Sequence, residues 1–183
     1  MAGPARAPAG LSLSRRGLLR IGLLGGVVLT TSSLAASLGG CSREPPAQGF
    51  ALLRTSDLPL LQRLIPLVLA GAVATPIPPA VIDGTLSSLD RSLEHLSPAL
   101  AKQVLQLFDL LGLPLARGPL TGIWGSWDAA SDQAMQAFLQ RWQNSPLALL
   151  RQGHNVLLQL VLMAWYGRPE AWAHCGYPGP PAV

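Results

Sequence analysis

Cys41, Cys175, His95, His154 and His174 are the side chains of this sequence best suited to nucleophilic or metal chemistry. His174 stands next to Cys175, and a base beside a thiol favours the thiolate. Adjacent residues in a turn point apart, however, and no third group is placed to orient the pair. The cysteines and histidines show no metal-ligand spacing. His154 falls on an apolar helical stripe and reads as a satisfied core or interface group, whereas His95 falls near a helix end and reads as solvated. Asp83, Asp90 and Glu94 could be paired for acid–base work, but they lie off an apolar stripe and read as a solvated face. Asp128 and Asp132 fall in the first turns of a helix, where the dipole favours anions; a metal role is the alternative. No glycine loop suited to phosphate and no Gly-x-Ser-x-Gly elbow occurs. The expectation is a chain with no catalytic residues, no metal and no cofactor bound by itself.

A second set of residues points to chemistry done to the chain. Ser14-Arg15-Arg16-Gly17-Leu18-Leu19-Arg20 has the form of a twin-arginine export signal, with Arg15 and Arg16 as its pair. An apolar segment follows, Ile21 to Leu38, diluted by glycine, serine and threonine. It ends in Leu38-Gly39-Gly40-Cys41, which resembles a bacterial lipobox, where the cysteine is lipidated and becomes the first mature residue. A membrane-spanning helix needs roughly 20 predominantly apolar residues, and this segment is short and polar-flecked. Residues 1–40 therefore read as a signal peptide, set aside before fold is considered. The expected location is the periplasmic side of the cell envelope, reached through the twin-arginine translocase, with a lipid anchor to the membrane at Cys41.

Removing the leader changes the electrostatics. The chain has 13 basic and 9 acidic residues, and four of the arginines (Arg6, Arg15, Arg16, Arg20) precede Cys41 with no acid beside them. The remainder is formally neutral, so the basic pI of 9.8 belongs to the leader. Nucleic-acid binding needs a basic patch on the folded domain and is not expected. Only 12% of residues are charged, against ~25% in a typical soluble domain. Such a surface leaves apolar patches that usually mark a partner or a membrane. With Cys41 lipidated, Cys175 has no partner within the chain, so a disulfide framework is excluded. In an oxidising compartment it is buried or bonded to another chain, and burial is the expectation.

The rest of the chain must supply the elements. Residues 41–50 are polar with two prolines and read as a tether. A first helix starts near Thr55–Asp57, with Pro59 in its first turn, apolar nearly all round and kinked at Pro66. Ile82, Leu86, Leu89, Leu93 and Leu96 make one stripe of a second helix. Ser97-Pro98 starts a third, with Leu100, Val104, Leu107, Phe108 and Leu111 on its apolar face and Gly112 as its cap. Leu113–Trp127 reads as a long irregular loop, which is uncommon at that length; it either lies against a partner or wraps its own core. A fourth helix spans about Asp128–Gln143, with Met135, Phe138, Leu139 and Trp142 inward. A fifth starts at Ser145-Pro146 and carries Leu147, Leu150, His154, Leu158, Val161 and Trp165. A short turn over Pro169–His174 precedes an extended tail. The fold expected is all-α: a compact bundle of about five helices over 51–166, with a long apolar loop and an extended Pro/Gly-rich C-terminal tail over 167–183.

The closing run Met163-Ala164-Trp165-Tyr166-Gly167-Arg168-Pro169-Glu170-Ala171-Trp172, followed by Gly176-Tyr177-Pro178-Gly179-Pro180-Pro181, resembles the end of the gluconate 2-dehydrogenase small subunits, the subunit 3 family. Cys175 departs from that pattern, where an aliphatic residue is usual. Over Leu52–Leu162 the likeness is one of helical layout. The resemblance implies a large FAD-containing flavoprotein of the glucose–methanol–choline family as partner, with a cytochrome c as a further one. It implies a non-catalytic subunit that binds the folded flavoprotein, carries it through the twin-arginine pore and anchors it at the membrane. Hydride chemistry then belongs to the partner's FAD. Rigid aromatics are enriched in interface hot spots and proline lowers the entropy of docking. Trp165, Tyr166, Trp172, Tyr177, Pro178, Pro180 and Pro181 are therefore the expected partner contacts. The competing expectation is a stand-alone envelope lipoprotein acting as scaffold or chaperone, with the tail as an internal clamp.

Overall fold

Proline and serine open most of the helices in the computed structural model, which describes residues 44–179. Arg15, Arg16, Cys41, Pro180 and Pro181 lie outside the described residues, as does the side chain of His174. Helix α1 (Leu58–Val68) has proline in its first turn and runs on through Pro66. It is short and apolar on several sides, and Leu60, Leu61, Leu64 and Ile65 are buried. It packs against three other helices: α2 (Pro79–Glu94), α5 (Asp132–Gln143) and α6 (Ala148–Tyr166). The broadest contact joins α2 to α6, where Leu86, Leu89 and Leu93 face inward with Leu157 and Val161.

Helix α3 (Pro98–Gly112) begins at Ser97, whose hydroxyl accepts from Leu100 N at 3.4 Å. Val104, Phe108 and Leu111 are its buried face. Helix α5 begins in the same way: Ser131 accepts from Ala134 N. Helix α6 starts at Ala148, two residues after Pro146, a difference within the usual uncertainty of helix ends. At Gly153 it meets the α5 indole of Trp142 so closely that a Cβ would stand 2.5 Å from the ring. The described residues contain seven helices and no strand, an all-α architecture.

Three expectations need correction. The stretch Leu113–Trp127 is not an irregular loop throughout, because Pro114–Thr121 forms helix α4. Pro114 stands at its start, Gly122 at φ 84° ends it, and the Thr121 hydroxyl accepts from Ile123 N. The stretch also wraps its own core. Trp127 and Ile123 are buried, and the Trp127 ring packs on Phe138 at 5.8 Å, which meets Trp142 edge-on at 5.0 Å. Both indoles donate to backbone carbonyls, Trp127 to Leu111 and Trp142 to Leu120.

The second correction concerns the tether. Residues 44–50 lie against the helices rather than hanging free. Pro46 bridges Arg54, Ala47 N donates to Leu53 O at 2.8 Å, and Ala47 is buried. The third explains the second. Asp90 does not lie on a solvated face: it is 6% exposed. Its carboxylate accepts from the backbone N–H groups of Ala51, Leu52 and Leu53 at 2.7, 2.9 and 2.8 Å. A segment with no helix or strand of its own still needs partners for its donors, and α2 supplies them.

Candidate docking surface

Helix α6 divides its last turns between core and solvent. Val161, Ala164 and Trp165 face inward, while Leu162, Met163 and Tyr166 face out. Trp165 is 4% exposed, so its expected place among partner contacts is corrected: it is a core residue of this chain. Tyr166 follows at the next 100° of the helix and is 44% exposed.

After Gly167 the chain turns at Arg168, whose backbone is extended (φ −101°, ψ 142°). Its side chain turns inward over the Trp165 ring, 5.5 Å from the centroid. The guanidinium lies across Gly84, in space a Cβ would fill. There it donates to Val81 O at 3.0 Å, to the buried Thr85 hydroxyl at 3.1 Å and to Glu170 at 3.0 Å. Arg168 thus pins the elbow between α6 and α7 (Pro169–Cys175) to α2. Glu170's own backbone N–H, with Arg168 beside it, holds that carboxyl below the ordinary carboxylate range.

Helix α7 buries Ala171 and half-buries Trp172. The Trp172 indole donates to Tyr166 O at 3.0 Å. Gly176, at φ 70°, turns the chain back, so that Tyr177 N donates to Trp172 O at 2.9 Å. The Tyr177 ring then meets Trp172 edge-on at 5.6 Å. The expected helical turn after Pro169 is present, one residue longer, and beyond it the chain folds back on its own domain as far as Gly179 rather than running on extended. Tyr166, Trp172 and Tyr177 come together on one surface, with Pro178 exposed beside them. An open groove of about 440 Å³ adjoins it, lined by Ser88, Arg91, His95, Leu96, Met163 and Gly167.

Of the remaining sequence candidates, His95 lines the groove and Cys175 lies beside Trp172. His95 is exposed and its Nδ1 donates to Arg91 O at 2.7 Å. His154 is 7% exposed, with Nδ1 3.2 Å from the Asn155 side-chain oxygen. Cys175 is exposed rather than buried; it is the last residue of a seven-residue helix whose inward side chain is Ala171. Asp132 pairs with Arg63 at 2.7 Å. Among the described residues no group of three or more His, Cys, Asp or Glu is placed to hold a metal.

Sequence reasoning missed two buried charge clusters. Arg54 donates to Asp57 at 2.9 Å and also pairs with Asp109. Its hydrogen bond to Asp57 outweighs the cost of burial, and with Asp109 it raises the guanidinium pKa. The Arg168–Thr85 contact was the other. Its only local signal is a lone arginine between glycine and proline at a helix break. The surface built from these parts offers aromatic rings and an open groove.

No protein-family model matches the chain, and neither a curated protein nor a solved structure does.

Proposed function

We propose that this chain is a non-catalytic small subunit of a membrane-held oxidoreductase. It binds a folded FAD-dependent dehydrogenase of the glucose–methanol–choline family, travels with it through the twin-arginine pathway, and holds it at the periplasmic face through lipid on Cys41. The division of labour follows from chemistry. The flavin supplies hydride transfer in the partner, and this chain supplies the export signal, the docking surface and the anchor.

The observation that carries the reading is the surface of the closing run. The stretch with the family resemblance puts Tyr166 and Tyr177, 44% and 48% exposed, on either side of Trp172. These rings are rigid and partly polar, the type enriched at interface centres. Purification of the tagged protein from its own host should yield a yellow complex containing a flavoprotein. A colourless protein, alone and stable, would contradict the proposal.

The second reading, a stand-alone scaffold or chaperone lipoprotein, is favoured by one specific feature. The tail contacts its own domain, through Trp172 to Tyr166 O and Tyr177 to Trp172. Substituting Tyr166 and Tyr177 by serine separates the two readings. Loss of the flavoprotein with an unchanged melting temperature supports docking, and an unchanged complement of co-purifying protein supports the stand-alone role.

A further inference from the structure

We infer that the corner between α3 and α4 is a bilayer-facing surface, seated among the lipid headgroups beside the anchor. The inference rests on the lipid-anchor reading of Cys41 and adds where the folded domain itself touches the membrane.

The corner is apolar and shaped for contact. Helices α3 and α4 meet at 89° across Leu113. No single helix among the described residues is long and apolar enough to cross a membrane. A bent apolar apex need not cross, because it can rest in the interface. The outward side chains here are Leu110, Leu113, Leu115 and Trp124, exposed by 38, 56, 94 and 78%. Leu110 lies in the last turn of α3, Leu113 joins the two helices, and Leu115 lies in the first turn of α4. The Trp124 ring lies across Gly118 of α4, so close that a Cβ there would stand 2.5 Å from it. The indole is therefore held in place while facing out, and indoles favour the headgroup level of a bilayer.

The first described residues are tied to this corner by side-chain and backbone contacts. Cys41 precedes Glu44 by three residues, a reach of at most about 11 Å. Glu44 is held in turn: its carboxylate accepts from Ser56 N at 3.2 Å, and Pro46 bridges Arg54. The Arg54 guanidinium reaches α3, where it pairs with Asp109 and donates to Leu105 O. Asp109 directly precedes Leu110. The point where the chain leaves for its anchor and the apolar corner are thus joined through one arginine.

Charge agrees with an anionic lipid surface. The two helices carry a single acid, Asp109, which shares Arg54 with Asp57, and two cations, Lys102 and Arg117. Arg117 on α4 suits headgroups whose negative potential favours cations. The corner is also clear of the docking surface. Helix α3 starts two residues after Leu96 of the groove, and its 15 residues place the corner about 22 Å further along the axis. A flavoprotein and a bilayer can be engaged together.

The test uses the lipidated protein in vesicles of phosphatidylethanolamine and phosphatidylglycerol with acyl chains brominated near the headgroup. Flotation reads the anchor, and tryptophan quenching reads the corner. Trp127, Trp142 and Trp165 are buried and Trp172 is half-buried, so the difference between wild type and Trp124→Phe isolates the Trp124 signal. Quenching should be about twofold greater in wild type than in Trp124→Phe. Leu113→Ser combined with Leu115→Ser should remove most of that difference while flotation and the melting temperature stay unchanged. Wild-type protein that floats but is quenched no more than Trp124→Phe overturns the inference and leaves the anchor standing. Protein that does not float overturns the anchor and the inference with it. Loss of the Trp124 quenching when the flavoprotein binds assigns the corner to a protein and also overturns the inference.

Discussion

The Asp90 carboxylate receives three consecutive backbone N–H groups, at 2.7 to 2.9 Å, and the segment it holds ends in the buried Leu53. Asparagine at this position keeps one acceptor oxygen and adds two donors. At least one buried N–H then has no partner, so Asp90→Asn should destabilise the domain by about 2–4 kcal/mol. Urea denaturation of the purified protein measures it, and a change below experimental error would mean the segment is held by its apolar contacts alone. Cys175 gives a prediction of opposite kind. Its thiol is exposed at the end of α7, so a thiol reagent should modify it within minutes in the folded protein. Reaction only after denaturant is added would show it to be covered.

At the scale of elements, the α6–α7 elbow decides how the C-terminal segment behaves. Arg168 ties the elbow to Val81 and Thr85 of α2, and Ala171 is fully buried. Beyond Gly176, the chain adds one backbone hydrogen bond and the Tyr177–Trp172 ring pair. Truncation after Gly176 should therefore cost only about 1 kcal/mol, leaving helix content nearly unchanged by circular dichroism. Under the proposed function the same truncation should lower flavoprotein recovery at least several-fold. A truncated protein that melts far lower would instead make the tail a structural clamp. Arg168→Ala should cost more, about 2–3 kcal/mol, because it removes charge-assisted hydrogen bonds to Val81 O and Thr85 and the cation over the Trp165 ring, although the Thr85 hydroxyl still donates to Val81 O.

At the scale of the whole molecule, the proposed subunit has a division along its length. The aromatic surface of α6 and α7 lies at one end of α3 and the apolar corner at the other. Under the proposed function, residues before Glu44 add the export signal. The guanidinium is planar and forked, and lysine does not reproduce its paired contacts. Changing Arg15 and Arg16 together to lysine should leave both this protein and its flavoprotein in the cytoplasm. Fractionation of cells carrying the variant reads both proteins at once. A flavoprotein that still reaches the periplasm would end the carrier role.

What the sequence determined by itself was local. Ser97-Pro98 starts a helix because the hydroxyl and the proline ring act within one turn. The stripe through Leu86, Leu89 and Leu93 is a period of the backbone. These gave an all-α bundle and the main helices to within a few residues. Helix α4 was missed because eight residues with two prolines carry too little periodicity to register. What only the tertiary structure decided was which polar and aromatic residues have a second layer over them. Asp90 reads as solvated on its own helix, and the segment that covers it comes from nearly forty residues earlier. Trp165 and Tyr166 are adjacent aromatics with the same composition signal. One points into the core and the other to solvent because a helix turns 100° per residue, and only the packing of α2 and α7 on α6 says which direction is covered.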